Sequence, residues 1–336
     1  MTMNVPPMHI LKTQQFSRPW LDAFFKRVTD IKRDFTSPTD KVRMNRLEFR
    51  QRLSGRLFFS VFAEPSTRTR FSFEAAAHHL GMVSGVTSEN AADFSSLIKG
   101  ETPEHTIRVL CGYYPDVIVW RHKMDGVINR IAPIATECGV PLINAGEGTL
   151  QHPTQSLVDE YTIQEHFGKL DYLTVVIGGD LMYGRTVKSL AYLLSKSSGI
   201  RLCFVSPLEL RMDAGVRAHL REHNVWYQEI SVQTEGGLNT VIAEADVVYW
   251  TRTQNERIAD PEIRQAVESS SSLYRITERQ IEVMKPNAIL LHPMPINGEI
   301  TAAAEKSPQA HYFEQAGNGL FVRMALFLEI FDRTRV

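Results

Sequence analysis

Apolar residues fall in two rhythms along this chain. Short, nearly unbroken runs recur at LFFSVFA (57–63), DVIVWR (116–121), VPLINAG (140–146), LTVVIGGD (173–180), RLCFVS (201–206), DVVYWTR (246–252) and AILLHPMP (288–295). Runs of that length with few polar interruptions are the signature of strands buried on both faces. Between them lie longer stretches that read as helices. The alternation predicts an α/β chain with two doubly wound domains, each on a mainly parallel sheet. The boundary falls near residue 150, with residues 1–152 as the first domain and 153–317 as the second. The last segment, QAGNGLFVRMALFLEIFDRTRV, carries Leu320, Met324, Phe327, Leu328 and Phe331 at helical spacing. A closing helix over about 318–336, packed back on one of the domains, follows from that period.

Length and charge narrow the function classes. At 336 residues the chain is long enough for two domains with sizeable cores and no need of staples. Lys plus Arg number 37 against 38 Asp plus Glu, so there is no basic excess of the kind nucleic-acid binders carry. Any charged ligand must be met locally. Cys111, Cys138 and Cys203 are far apart and lack zinc-type spacing, which predicts buried free thiols in a reducing compartment. No apolar run approaches a bilayer span, and the first residues lack the basic-then-apolar order of a signal peptide. The expectation is a soluble cytoplasmic protein with no membrane partner.

The chemistry sits where the apolar runs end. In an open parallel sheet, ligands bind beyond the carboxyl ends of the strands. After residues 57–63 come Ser66, Thr67, Arg68, Thr69 and Arg70, then a helical pattern through Phe71, Phe73, Ala76 and Leu80 that Gly81 ends. One hydroxyl suffices to cap a helix. Three hydroxyls and a guanidinium at the positive end of a helix point to a phosphate; the plain alternative is a capped helix with solvated arginines. Arg121 and His122 end the next strand, and His152 and Gln155 in GEGTLQHPTQ follow the one after it, with Pro153 at a helix start. A ring N–H and an amide on one helix face suit a small carbonyl compound bearing an NH2 group.

The second half is equipped differently. IGGDLMYGRT (177–186) leads from a strand into a helix, but its glycines do not read GxGxxG, and Asp180 falls where a pyrophosphate would be repelled. No nucleotide cofactor is expected. That turn presents Arg185, and TRTQNER (251–257) presents Arg252, Gln254 and Arg257 at another strand end. Fixed guanidinium forks take carboxylates bidentately, so two such loops fit a dicarboxylate. The chain offers no nucleophile with its base and no metal cluster. Direct transfer between two bound substrates fits this inventory, with orientation and charge stabilisation carrying the catalysis.

STRTR followed by FSFE (66–74), HPTQ (152–155), GDLMYGRT (179–186), TRTQNER (251–257), HPMP (292–295) and QAGNGLF (315–321) occur in a recognisable order and spacing. In these motifs the chain resembles the aspartate/ornithine carbamoyltransferase family, and within it the aspartate-specific catalytic chains. The resemblance implies a first domain for carbamoyl phosphate, completed by the closing helix, and a second for aspartate. It implies Ser66, Thr67, Arg68, Thr69 and Arg121 on the phosphate, and Thr69, Arg121 and His152 on the carbamoyl oxygen. Gln155, with the backbone carbonyls around Pro293 and Met294, would hold the carbamoyl NH2. Arg185 would bind the α-carboxylate of L-aspartate, and Arg252 with Gln254 its β-carboxylate. Ser95 and Lys99, in SSLIKGE, match a loop that reaches the neighbouring subunit's site, with Lys99 serving both substrates. A homotrimer with shared sites follows, with Arg68, Thr69, Lys99, Arg121 and His152 as its catalytic groups and no metal. Regulatory chains or pathway enzymes are possible further partners. Glu64 would bridge Arg185 and Arg257 on domain closure.

Two departures stand out from that pattern. Ile296 occupies a position where the family usually has an arginine, after HPMP rather than HPLP, and Glu147 replaces the commoner aspartate of NAGDG. An ornithine-specific chain would carry a cysteine in place of Pro293, and Arg252 would repel ornithine's cationic side chain. Two alternatives to the aspartate reading stay open here: a transcarbamylase for another acidic amine, and a catalytically silent ligand-binding homologue.

Overall fold

The structure, a computed structural model, describes residues 8–37, 41–86, 99–234 and 236–333. The chain divides into two units, residues 1–155 with 317–336 and residues 156–316. Both divisions fall inside helices, Pro153–Phe167 and Tyr312–Arg333.

The first unit is built on strands β1 (Leu57–Ala63), β2 (Val83–Val86), β3 (Val117–His122) and β4 (Leu142–Glu147), in the order β2-β1-β3-β4. Every neighbouring pair is parallel. Helices α1 (Arg18–Thr36), α2 (Lys41–Arg52), α3 (Thr67–His79), α4 (Pro103–Cys111), α5 (Val127–Glu137) and the start of α6 (Pro153–Phe167) connect or flank them. The residues of β3 and β4 are buried throughout, which is why these strands read as apolar runs. One core cluster packs Ile118, Trp120 and Leu142 of the sheet against Ile128 and Ile131 of α5.

The second unit contains β5 (Thr174–Gly178), β6 (Arg201–Val205), β7 (Trp226–Ile230), β8 (Val247–Trp250) and β9 (Ile289–Leu291), ordered β7-β6-β5-β8-β9 and again parallel. Its helices are α7 (Arg185–Leu194), α8 (Ala214–Glu222), α9 (Gly237–Ala243), α10 (Pro261–Ser270), α11 (Glu278–Val283) and the first residues of α12 (Tyr312–Arg333). From residue 317 onward α12 belongs to the first unit. There the Phe327 ring lies edge-on to Phe58 of β1 and Phe73 of α3, with centroids 5.4 and 5.9 Å away. The closing helix therefore completes the first core.

Three sequence expectations change. Strands β2 and β7 have no counterpart among the apolar runs: each is an edge strand open to solvent, with Val83 58% and Trp226 44% exposed, whereas the edge strands β4 and β9 are buried throughout. Of the three free thiols, Cys111 and Cys203 are buried but Cys138 is exposed, as it sits at the C-terminal cap of α5. Pro153 opens α6, so His152 precedes the helix rather than sharing a helical face with Gln155. No described helix is long and apolar enough to cross a membrane.

Candidate active site

Each sheet reverses its strand order once, between β1 and β3 in the first unit and between β5 and β8 in the second. Crevices for ligands open at such points, beyond the carboxyl ends of the strands. Ser66–Arg70 follow β1, Arg121 ends β3, Arg185 follows β5 and Arg252 with Gln254 follows β8, whereas His152 and Gln155 follow β4 and Pro293 and Met294 follow β9.

In the first unit, β1 runs into Glu64, Pro65 and Ser66, and α3 begins at Thr67. The first helical hydrogen bond is Arg70 N–H to the Ser66 carbonyl at 3.0 Å, so the N–H groups of residues 67–69 precede the ladder. Ser66 occupies the cap position, yet its side chain makes no capping bond, and the first turn holds no acidic residue. The Ser66 hydroxyl is thus not spent on capping the helix. Thr69 is buried, whereas Thr67 and Arg68 are exposed. Arg68 makes no ion pair among the described residues, and partial desolvation pulls its guanidinium below the usual arginine range. An unneutralised cation at the positive end of a helix is an anion site in waiting.

Neighbouring β3 is in register with β1, Phe62 beside Arg121 and Ala63 beside His122. Arg121 is 8% exposed and held from two sides. Its Nη2 lies 2.8 Å from Glu64 Oε2, and its Nη1 donates to the Ala145 carbonyl at 3.1 Å. Glu64 therefore pairs within its own unit with Arg121. The His122 Nδ1 accepts the Met124 N–H at 3.0 Å, and burial holds that ring below the usual histidine range. After β4 the chain reaches His152, 4% exposed, with the Thr154 hydroxyl 3.4 Å from its Nδ1 and its carbonyl accepting the Gln155 N–H at 3.0 Å. The phosphate motif, Arg121, His152 and Gln155 thus follow the adjacent strands β1, β3 and β4. Lys99 is exposed, and Ser95 lies outside the described residues.

The second unit's loops are tied together by Asp180. Gly178 and Gly179 precede it for a packing reason: a Cβ on Gly178 would fall 2.0 Å from the Trp250 ring, and one on Gly179 2.1 Å from the Thr251 carbonyl. The glycines thus admit the neighbouring strand, not a dinucleotide. Asp180 is fully buried and accepts the Tyr183 N–H at 2.9 Å and the Gln254 N–H at 3.0 Å. Burial raises its carboxyl above the usual range, while these backbone donors and Lys188 pull the other way. It fastens the β5 loop, which delivers Arg185 as the first residue of α7, to the β8 loop carrying Arg252 and Gln254. Arg252 forks onto Glu256, one arm at 3.1 Å and a second shorter, and this contact raises its guanidinium further. Gln254 accepts from Arg257 Nε at 3.1 Å. A carboxylate already occupies the Arg252 fork, so the geometry demonstrates what that fork can hold.

Comparisons with known proteins agree with this architecture. Residues 8–165 match the carbamoyl-phosphate-binding domain of aspartate/ornithine carbamoyltransferase, and residues 171–330 match its Asp/Orn-binding domain. The chain belongs to the aspartate/ornithine carbamoyltransferase family. It is 42% identical to aspartate carbamoyltransferase 3, chloroplastic, of Pisum sativum over 94% of its own length and 76% of that protein's. The aspartate carbamoyltransferase catalytic subunit of Vibrio vulnificus is 36% identical over 99% of this chain and all of its own. Among solved structures, aspartate transcarbamoylase of Trypanosoma cruzi in complex with carbamoyl phosphate and aspartate superposes with a TM-score of 0.84, at 32% identity and 96% coverage of both chains.

The departures from the family pattern can be located. Ile296, in place of the usual arginine, packs with Met294 against the second unit's apolar cluster. Glu147 is buried at the end of β4, where its Oε1 accepts the Ile128 N–H at 2.8 Å and so caps α5. Burial raises its carboxyl, with nearby Asp125 adding to the effect and the α5 backbone donors opposing it. Sequence reasoning missed Asp180 as a loop fastener and Glu256 as the partner of Arg252. The i, i+4 spacing of Arg252 and Glu256 was the available signal for the second; nothing local marked the first.

Proposed function

We propose that this chain transfers the carbamoyl group of carbamoyl phosphate to the α-amino group of L-aspartate, giving N-carbamoyl-L-aspartate and phosphate, a step of pyrimidine synthesis. The observation that carries the reading is that each sheet presents guanidinium groups at its own topological switch point: Arg68 and Arg121 in the first unit, Arg185 and Arg252 in the second. The first set meets a phosphate and the second a dicarboxylate. The first unit is then the carbamoyl-phosphate domain and the second the aspartate domain.

The aspartate amine attacks the carbamoyl carbon, and negative charge grows on the carbamoyl oxygen. Arg121, His152 and Thr69 are the donors for that oxygen, and fixed donors of this kind stabilise the transition state more than the ground state. The C–O bond to phosphate breaks as the C–N bond forms. Phosphate leaves among Ser66, Thr67, Arg68 and Lys99, and its oxygens take the amine proton. Gln155 with the carbonyls of Pro293 and Met294 holds the carbamoyl NH2, Arg185 the α-carboxylate, and Arg252 with Gln254 the β-carboxylate. Arg252 exchanges Glu256 for substrate. Ser95 and Lys99 act on the site of a neighbouring subunit, in a cytoplasmic homotrimer. The test is a steady-state assay of phosphate release from carbamoyl phosphate against a panel of amino acids. Aspartate should lead it.

One observation favours a second reading. Ile296 removes a cation from the loop after β9, so a transcarbamylase whose acceptor is a different acidic amine would be revealed by the same panel.

A further inference from the structure

The loop after β9 is clamped from within. His292 is buried, and its Nδ1 accepts the Met294 N–H at 2.7 Å. A ring nitrogen that accepts from a backbone N–H carries no proton, so the proton of the neutral ring is on Nε2. That Nε2–H donates to Glu299 Oε1 at 2.8 Å, and Glu299 Oε2 accepts the Asn297 N–H at 2.8 Å. The carboxylate thereby joins both ends of the loop. Behind it the His292 N–H donates to Gln315 Oε1 at 2.9 Å, Gln315 Nε2 donates to Asp159 Oδ1 at 2.6 Å, and the Tyr249 hydroxyl donates to Asp159 Oδ2 at 2.9 Å. Burial alone would raise the Glu299 carboxyl, but the His292 ring and the backbone donors outweigh it and hold the group below the usual range.

The result of this clamp is an unusual backbone. Met294 has φ of 55°, a conformation costly to a side chain of its type. Proline supplies no N–H, and the Met294 N–H is consumed by His292. Among the described residues no hydrogen bond ends on the carbonyl of Pro293 or Met294. At Pro293–Met294 the partly buried chain offers no spare N–H and leaves two carbonyl acceptors, an arrangement that suits an NH2 group.

We propose that Glu299 is a positioning residue which, through the His292 ring, sets the Pro293 and Met294 carbonyls for the carbamoyl NH2. This rests on the transcarbamylase reading. Glu299 would touch no substrate. It fixes the tautomer of His292, the tautomer fixes Met294, and Met294 aims the acceptors.

Glu299→Gln tests it in the full-length enzyme. The amide keeps the shape but presents one acceptor and one donor to two donors, so either Asn297 or His292 loses its partner. We expect the KM for carbamoyl phosphate to rise at least tenfold while inhibition by inorganic phosphate, which lacks the NH2, stays within twofold of wild type. The 15N shifts of His292 should leave the Nε2–H pattern. Glu299→Asp, which restores the carboxylate, should recover part of the KM. A merely structural role would instead lower Tm and kcat and leave KM and the histidine shifts unmoved, and that result overturns the proposal, as does phosphate inhibition weakening in parallel with KM. If the wild type turned over no carbamoyl phosphate, the transcarbamylase reading would fall, while the His292 shifts would still decide whether Glu299 sets the ring.

Discussion

Removing the Arg68 side chain separates binding from folding more cleanly than any other change in this site. Arg68→Ala leaves the backbone N–H groups of residues 67–69 in place and deletes a single cation at the start of α3. The native structure loses little, since Arg68 is exposed and carries no ion pair among the described residues. Taking a positive charge from the positive end of a helix is worth a few tenths to about 1 kcal/mol in favour of folding. Tm should therefore hold or rise by roughly 1–2 °C. The ligand loses more. A hydrogen bond to a charged group contributes about 1.5–3 kcal/mol, which is roughly a ten- to hundredfold change in affinity. The assay is steady-state turnover with carbamoyl phosphate varied at saturating aspartate, alongside inhibition by inorganic phosphate, and both constants should weaken together. The reasoning fails if both stay within about threefold of wild type, or if Tm drops by several degrees, which would show that the guanidinium has a structural partner.

The other predictions address the acceptor, the assembly and pH. Arg252→Ala should raise the KM for aspartate by roughly ten- to a hundredfold with little change in that for carbamoyl phosphate, and wild type should prefer aspartate to glutamate and asparagine by a similar margin; a better turnover of asparagine would remove the β-carboxylate from the Arg252 site. Mixing inactive Lys99→Ala chains with inactive Arg68→Ala chains should restore activity in hybrid trimers, whereas inert hybrids verified by native mass spectrometry would mean that each site is complete within one chain. Burial raises the Glu147 carboxyl above its unfolded value, so the folded state binds the proton more tightly and its contribution to stability falls as pH rises from about 4.5 through the folded pKa. Glu147→Gln keeps an acceptor for the Ile128 N–H and cannot ionise, so its Tm should gain on wild type across that interval; a difference independent of pH would contradict the assignment.

The interior strands were legible because both faces of a central strand are buried and most of its residues are apolar, with polar ones such as Arg121 and His122 falling at the strand end. The runs at 57–63, 116–121, 201–206 and 246–252 became β1, β3, β6 and β8 on that account. Solvent-exposed edges obey no such rule: β2 is only VSGV, and β7 mixes exposed and half-buried residues, so neither was visible, whereas the buried edges β4 and β9 were. The sequence could also place the phosphate motif and the arginine loops at strand ends, since each cluster of donors is local in sequence.

What the sequence by itself determined, then, is the order of elements, the class of fold and the chemical character of each loop, all of which depend on short-range pattern. Tertiary structure alone decided the partners. Arg121 meets Glu64 across two neighbouring strands, Asp180 meets Gln254 at a separation of 74 residues, and Gln315 meets Asp159 at one of 156. Buried polar groups must find partners wherever the fold brings them, because leaving one unsatisfied costs about 1–3 kcal/mol. Those pairings depend on which strands are adjacent and in what register, and no local pattern of residues encodes either.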